Sequence, residues 1–440
     1  MALHAHLDYH FCQPDHIPSE ETSMSDGNGT PISGNNDARY YREGQWWVCP
    51  YNDAPEVKAG RQLPEKVEIH DATLRDGEQT PGVVMTVKDK IEIAEALAAV
   101  GIERIEAGMP AVSDMDFEAI KQIAKLGLKS RIYSFARAMK VDIDKAVDCG
   151  CHGVIIEIPI GYPKLKYQFK WTAEDVLRKS IEVVKYAKDK GLHTVYFPYD
   201  TTRVREEDYE FVLKRLMEAA PPDSIGVVDT MGCALPEAIK YMVRWTKRIT
   251  NGLPVEVHTH NDFGMGVATE LAGVEAGASC VHSCANGLGE RTGNAAAEEL
   301  AVALHVLYGY EQYDLAKLPA LGETCRRISG LPIAVNKPIL GARNFTRESG
   351  IGVDLVVKTP LAMFGTHPHL TGREGEVVLG KKSGRASITY NLEKLGYAAA
   401  DEKAVDEMLN AVKKLGIDKR GLVTDEEFRT IADKVLGKAA

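Results

Sequence analysis

Between residues 65 and 310, short apolar runs alternate with longer amphipathic ones, eight of each. The short runs lie at 67–70, 102–107, 130–135, 153–159, 193–197, 224–228, 255–259 and 280–284. They have the length and the apolar composition of strands buried on both faces. The long runs, at 87–100, 114–126, 141–149, 173–190, 206–219, 236–250, 265–276 and 295–307, carry the periodicity of amphipathic helices. Such an alternation demands parallel strands joined by helical crossovers, and eight units predict an α/β fold of the TIM (β/α)8 type. The competing architecture is an open, doubly wound sheet. It is disfavoured because polar clusters follow nearly every strand, as the C-terminal mouth of a barrel requires, and no Gly-x-Gly-x-x-Gly follows the first one.

Around the barrel the chain divides into an N-terminal tail and aromatic arm (1–64), the catalytic barrel (65–310), a linker subdomain (311–370) and a small helical C-terminal subdomain (371–440). Up to residue 38 the tail is polar and aperiodic, which predicts mobility; His4, His6, His10 and His16 lie in it with nothing to order them as a metal site. Trp46 and Trp47 are expected to pack on the folded body or on a partner subunit. Beyond the barrel, helices are expected at 318–329, 404–415 and 424–436. Asp418 and Glu427 lack the ligand spacing of a calcium loop.

With 53 basic and 63 acidic residues the net charge is −10, which argues against nucleic acid or an anionic membrane as the main partner. There is no bilayer-length apolar run, no signal-peptide pattern and no Cys-x-x-Cys among the eight cysteines. A cytoplasmic protein with reduced thiols is expected.

The candidate chemistry sits at two strand ends. The first strand runs into His70-Asp71-Ala72-Thr73-Leu74-Arg75-Asp76-Gly77-Glu78-Gln79, where charges can face a ligand. The seventh ends in His258-Thr259-His260, and strand alternation turns both imidazoles to the barrel interior. They are either a hydrogen-bonded interior pair or ligands of a divalent metal, and the acidic cluster at the first strand favours the metal. Asp76 is the natural carboxylate ligand. Asn294 follows the eighth strand, which neighbours the first in a closed barrel. This mixed N/O set suits Mg, Mn, Zn, Co or Fe(II) without choosing among them, and open positions would allow Lewis-acid work on a carbonyl.

The segments HDATLRDGEQTPG, IEAGMP, VDTMG, HTHNDFGMGVA and NGLGERTGNAAAEE resemble the DRE-TIM metallolyase superfamily, most closely its isopropylmalate, homocitrate and citramalate synthases. The resemblance covers 65 to about 390, including Leu379-Gly380-Lys381-Lys382-Ser383-Gly384-Arg385. It implies a metal-dependent acyltransferase, often a homodimer, that condenses an acyl-CoA (acetyl-CoA as co-substrate) with a 2-oxo acid. It also implies Asp76, His258 and His260 as ligands, with Asn294 a nearby or fourth one. Arg75 would polarise the 2-oxo group, Glu106 and Gln79 would line the pocket, and Thr230 would bind the 2-oxo acid carboxylate. Arg137, at the end of the third strand, stands as a further substrate-binding candidate.

Three departures mark this chain. Tyr199 stands where the resemblance expects a catalytic Glu, and Val195 and Phe197 replace polar residues that hold a second carboxylate in homocitrate synthases. A dicarboxylic 2-oxo acid bound in that mode is therefore not expected, and an apolar or aromatic group could fit. Gly352 replaces a His that usually reaches into the neighbouring subunit, and Met363 or Phe364 replaces a Tyr. Asp200, Tyr199, His367 and His369 are the candidate substitutes for the missing base. Finally, the chain after Arg385 is too short for a leucine-sensing domain. The alternative function is a carbon–carbon lyase of the 3-hydroxy-3-methylglutaryl-CoA lyase type; those enzymes usually carry a Cys in the loop after the eighth strand, and this loop has none. A non-catalytic relative is the third reading, opposed by the full ligand set and Arg75.

Overall fold

The structure is a computed structural model that describes residues 39–437. The expectations for the polar tail, its four histidines and Cys12 lie outside the described residues.

Strands β1 (Glu68–Asp71), β2 (Arg104–Glu106), β3 (Arg131–Arg137), β4 (Gly153–Pro159), β5 (His193–Tyr199), β6 (Ser224–Asp229), β7 (Val255–Thr259) and β8 (Cys280–Ser283) are all parallel and close into one barrel. β8 closes it by pairing with both β1 and β7, His282 standing opposite His70 and Val281 opposite Val257. The crossovers are α1 (Val87–Val100), α2 (Asp114–Lys125), α3 (Lys140–Cys149), α4 (Ala173–Asp189), α5 (Glu206–Ala219), α6 (Pro236–Ile249), α7 (Gly266–Glu275) and α8 (Ala297–Ala303). The barrel expected from the alternation is the observed fold.

Local chemistry sets the helix ends. Thr86 and Asp89 form a reciprocal capping box at the start of α1, as do Thr172 and Asp175 at the start of α4. The eighth helix is shorter than the periodicity suggests: α8 stops at Ala303 and passes into a wider turn, Leu304–Tyr308, that Gly309 closes with a φ of 78°.

The barrel interior is layered. Arg104 bridges Glu68 at 2.7 Å and Glu256 at 2.6 Å, and Glu256 reaches His282 at 3.0 Å. His70 stacks on His282 with ring centroids 4.4 Å apart. His70, Glu256 and His282 could in isolation hold an ion. Arg104 already neutralises Glu256, so the cluster reads as a buried ion-pair network. An apolar tier of Tyr133, Phe135, Ile155, Val195, Phe197 and Val228 fills the side formed by β3 to β6.

The aromatic arm lies on the body, as its apolar area demands. Tyr41–Arg42 pairs with Trp46–Trp47, and Trp46, 3% exposed, meets His305 edge-on at 5.7 Å. Its indole N–H donates to the carbonyl of Arg39 at 2.9 Å. Trp46→Ala is expected to lower the unfolding free energy by about 3 kcal/mol, measured by urea denaturation. Beyond the barrel come α9 (Leu318–Ser329), α10 (Val353–Lys358), α11 (Arg385–Lys394), α12 (Glu402–Asp418) and α13 (Asp425–Leu436). The last three surround their own core of Leu392, Met408, Val412 and Phe428. Among the described residues, no helix is long and apolar enough to cross a membrane.

Candidate active site

The turn after β1 is built so that its charged side chains face inward. The carbonyl of Ala72 accepts from the N–H groups of Arg75, Asp76 and Gly77 at 3.0, 2.8 and 3.1 Å, which coils the chain tightly above the strand. Asp71 fixes this turn to β8: its carboxylate accepts from the Thr73 N–H at 2.9 Å and the Ser283 hydroxyl at 2.8 Å. Thr73 in turn accepts from the Ala285 N–H at 2.7 Å. The first and eighth loops therefore meet, as closure requires.

Asp76, His258 and His260 converge at this junction, all buried. Asp76 Oδ2 lies 3.4 Å from His258 Nε2 and 3.6 Å from His260 Nε2. These separations are long for charge-assisted hydrogen bonds, and their ligand atoms all lie within 4.8 Å of one another. Asp76 Oδ1, His258 Nδ1 and His260 Nδ1 are buried without a hydrogen-bond partner. Burial alone would raise the Asp76 pKa, yet Arg75 and the two imidazoles hold it well below the usual carboxylate range. Burial lowers both imidazoles, His260 to about 4. An ionised carboxylate beside two neutral imidazoles is the protonation pattern a divalent ion needs. The residues present thus fit such an ion. Asn294 approaches through its amide nitrogen, which donates to Asp76 Oδ2 at 3.1 Å and to the Leu288 carbonyl at 3.2 Å. It positions Asp76 in this arrangement; ligation by its buried, unpartnered oxygen requires the amide to turn over.

The loop that carries Asn294 depends on Gly293, whose φ is 84° and where an added Cβ would lie 1.8 Å from the Gly287 carbonyl oxygen. Gly293→Ala is expected to displace Asn294 and weaken metal retention by about tenfold or more, read by metal content after dialysis.

Arg75 is clamped beside the cluster. Its Nε donates to Glu106 Oε1 at 2.8 Å, its Nη1 lies 3.4 Å from Asp76 Oδ2, and its guanidinium stacks over Phe135 at 4.5 Å. Burial would raise Glu106, but Arg75 and His70 bring it down to about 2. Arg75, Gln79, Phe135, Arg137 and Glu157 share the walls of an adjoining cavity of about 550 Å³. Arg137 points there half-exposed and pairs with Asp142 at 2.8 Å.

The remaining candidates are tied into local contacts. Asp200, at a φ of 63°, gives both carboxylate oxygens to Arg203 at 2.8 Å. Its N–H donates to the Thr230 hydroxyl at 2.9 Å, so Thr230 braces this turn. Tyr199 ends β5, with the Lys164 ammonium 5.1 Å over its ring. His367 is not brought to the mouth. Its N–H donates to the Gln45 carbonyl at 2.7 Å, and the Pro368–Thr371 turn that follows packs against Leu315–Lys317 on the barrel flank. His369 pairs with Glu374 at 2.9 Å. Gly352 has its own local reason: it starts α10 at a φ of 83°, where a Cβ would lie 3.2 Å from Met363 Sδ.

Two groups escaped the reading of the sequence. Lys90, 1% exposed, joins Glu78 and Asp116 at 2.6 Å each. Glu157 on β4 faces the cavity; the signal for it was one carboxylate inside an apolar strand.

The chain is similar to known proteins in sequence and in fold. Residues 66–325 match the HMGL-like family and 339–420 the homocitrate synthase post-HMGL domain-like family. A relative from Ignicoccus hospitalis, named "Probable 2-isopropylmalate synthase", is 42% identical over 85% of this chain and 93% of its own length. Homocitrate synthase AksA of Methanocaldococcus jannaschii is 39% identical over 89% of this chain and 94% of its own length. The crystal structure of hydroxymethylglutaryl-CoA lyase from Pseudomonas aeruginosa shares the fold with a TM-score of 0.55 at 20% identity, covering 62% of this chain and 95% of that one. The chain therefore belongs to the HMGL-like family, in its branch of 2-isopropylmalate- and homocitrate-synthase-like acyltransferases.

Proposed function

We propose that this enzyme condenses an acyl-CoA, with acetyl-CoA as the donor, with a 2-oxo acid to give a 2-hydroxy-2-substituted dicarboxylic acid and CoA. The observation that carries this reading is the convergence of Asp76, His258 and His260 beside the clamped Arg75. Those three residues would hold a divalent ion (Mg, Mn, Zn or Co), with Asn294 as support or fourth ligand. Such an ion, when bound, supplies Lewis-acid polarisation of a chelated carbonyl.

The chain's own groups do the rest. Arg75 presents N–H donors toward the oxygen that gains negative charge as the new carbon–carbon bond forms. Glu106 fixes that guanidinium in place, and Phe135 and Phe197 keep water from the reacting carbons. Gln79 and Arg137 line the cavity where the substrates would lie. The apolar tier beneath favours an acceptor with an apolar or aromatic side chain. The same reading carries a cytoplasmic homodimer acting on small molecules.

The test is purified protein with metal, acetyl-CoA and a panel of 2-oxo acids, following free thiol. Thiol release with an apolar 2-oxo acid is expected. Silence across the panel, with cleavage of a 3-hydroxyacyl-CoA, would overturn the condensation in favour of a lyase.

A further inference from the structure

We propose that Glu157 is the general base that removes the α-proton of the acyl thioester, a role that rests on the condensation proposed above. β4 reads Gly-Val-Ile-Ile-Glu-Ile-Pro, one charged residue in a strand otherwise apolar. Strand alternation puts Glu157 on the same face as Ile155, which belongs to the interior tier. It stands opposite Arg137 on β3 and Phe197 on β5, one step nearer the mouth than Ile155. Its carboxylate thus lines the cavity that Arg75 and Phe135 also line.

What separates Glu157 from the other acids of the site is that it has no partner. Glu106 is held by Arg75, and Asp76 by Asn294 and Arg75. Glu78 and Asp116 are held by Lys90, Asp142 by Arg137 and Asp200 by Arg203. Among the described residues Glu157 accepts no hydrogen bond and makes no ion pair. A carboxylate turned into a cavity without a partner is costly unless a ligand or a proton uses it. Burial pushes it up to about 7; Arg75 opposes this, while Asp76, Glu106 and Glu290 add to it. A carboxylate that titrates near neutral pH suits proton abstraction. The charged groups facing it are Arg75 and Asp76 from the turn after β1, Glu106 from β2, Arg137 from β3 and Glu290 from the loop after β8.

A Glu157 oxygen bonds to the α-hydrogen, the C–H pair becomes the enolate double bond, and the thioester carbonyl pair moves onto its oxygen. The enolate oxygen pair returns to re-form the thioester carbonyl as the enolate C=C pair bonds to the keto carbon of the 2-oxo acid, whose carbonyl pair moves onto the oxygen beside Arg75. The proton held by Glu157 passes through solvent to that alkoxide, which gives the hydroxyl and restores the carboxylate. Water attacks the acyl carbon and the CoA thiolate leaves, taking up a proton.

The test compares metal-loaded wild type, Glu157→Gln and Glu157→Asp. It measures CoA release across pH and deuterium uptake into the acetyl methyl group in heavy water with the accepted 2-oxo acid present. Glu157→Gln is expected to lower kcat by about a hundredfold and to abolish the acid limb near pH 7. It should slow deuterium uptake in parallel and leave metal content, melting temperature and the KM for the 2-oxo acid unchanged. Glu157→Asp should keep part of the rate. Removing an unpaired carboxylate does not threaten the fold, which a structural ion-pair role would. If wild type turns over and Glu157→Gln keeps its rate within about threefold, or keeps the acid limb, the role of Glu157 is wrong and the condensation stands. If wild type releases no thiol with any acceptor, both fall together.

Discussion

Asp76→Ala is expected to reduce bound divalent metal to background and CoA release by on the order of a thousandfold or more, with the barrel still folded. The carboxylate is the only charged member of the cluster with His258 and His260, and it sits between both imidazoles and Arg75. Without it two neutral rings face each other across a buried gap, too weak a donor set to retain a hard or borderline cation. The fold should survive because Arg75 keeps Glu106, and the turn is held by Ala72, Asp71 and Ser283. His258→Ala should share the metal loss. Elemental analysis of the dialysed variants checks both, with circular dichroism as the control; metal content equal to wild type would show that these residues are not the ligands.

Arg75→Lys is expected to retain metal and lose turnover by about 10²–10³-fold. A lysine keeps the charge but not the planar fork. Arg75 uses Nε and Nη2 on Glu106, and its flat face rests on Phe135. An ammonium cannot make that pair of contacts and also reach the developing alkoxide. The conservative change is the informative one. Arg75→Ala would leave Glu106 as a buried carboxylate without its cation, at a cost of about 3–5 kcal/mol, and would confuse rate with stability. The checks are kcat and metal content on the same preparation; wild-type turnover in Arg75→Lys would remove the oxyanion role.

How far the sequence could be read follows the range of the forces involved. Strand and helix periods are local, so β4, β7, α1 and α5 appear in the sequence with their observed limits. The inward aim of His258 and His260 is a parity argument that needs only a strand, and the meeting of Asp76 with Asn294 needs only closure of the barrel. The misplaced candidates depend on contacts no period reports. Asp200 looked available because its cation, Arg203, comes from the same turn and shows itself only when the chain takes a positive φ. His367 looked like a substitute base because its distance from the mouth depends on how Pro368–Thr371 seats against Leu315–Lys317. Glu157 was hidden in an apolar run, and its solitude is visible only once every neighbouring acid has been matched to its cation.

The most direct test of metal-dependent condensation is a metal titration of chelator-stripped protein, reading bound ion and free CoA in the same samples with acetyl-CoA and the best 2-oxo acid. A single catalytic ion at Asp76, His258 and His260 predicts thiol release that is absent in the stripped protein and rises in proportion to occupancy, reaching its limit at one ion per chain. Full thiol release from stripped protein, or an ion that binds equally well to Asp76→Ala, would contradict it.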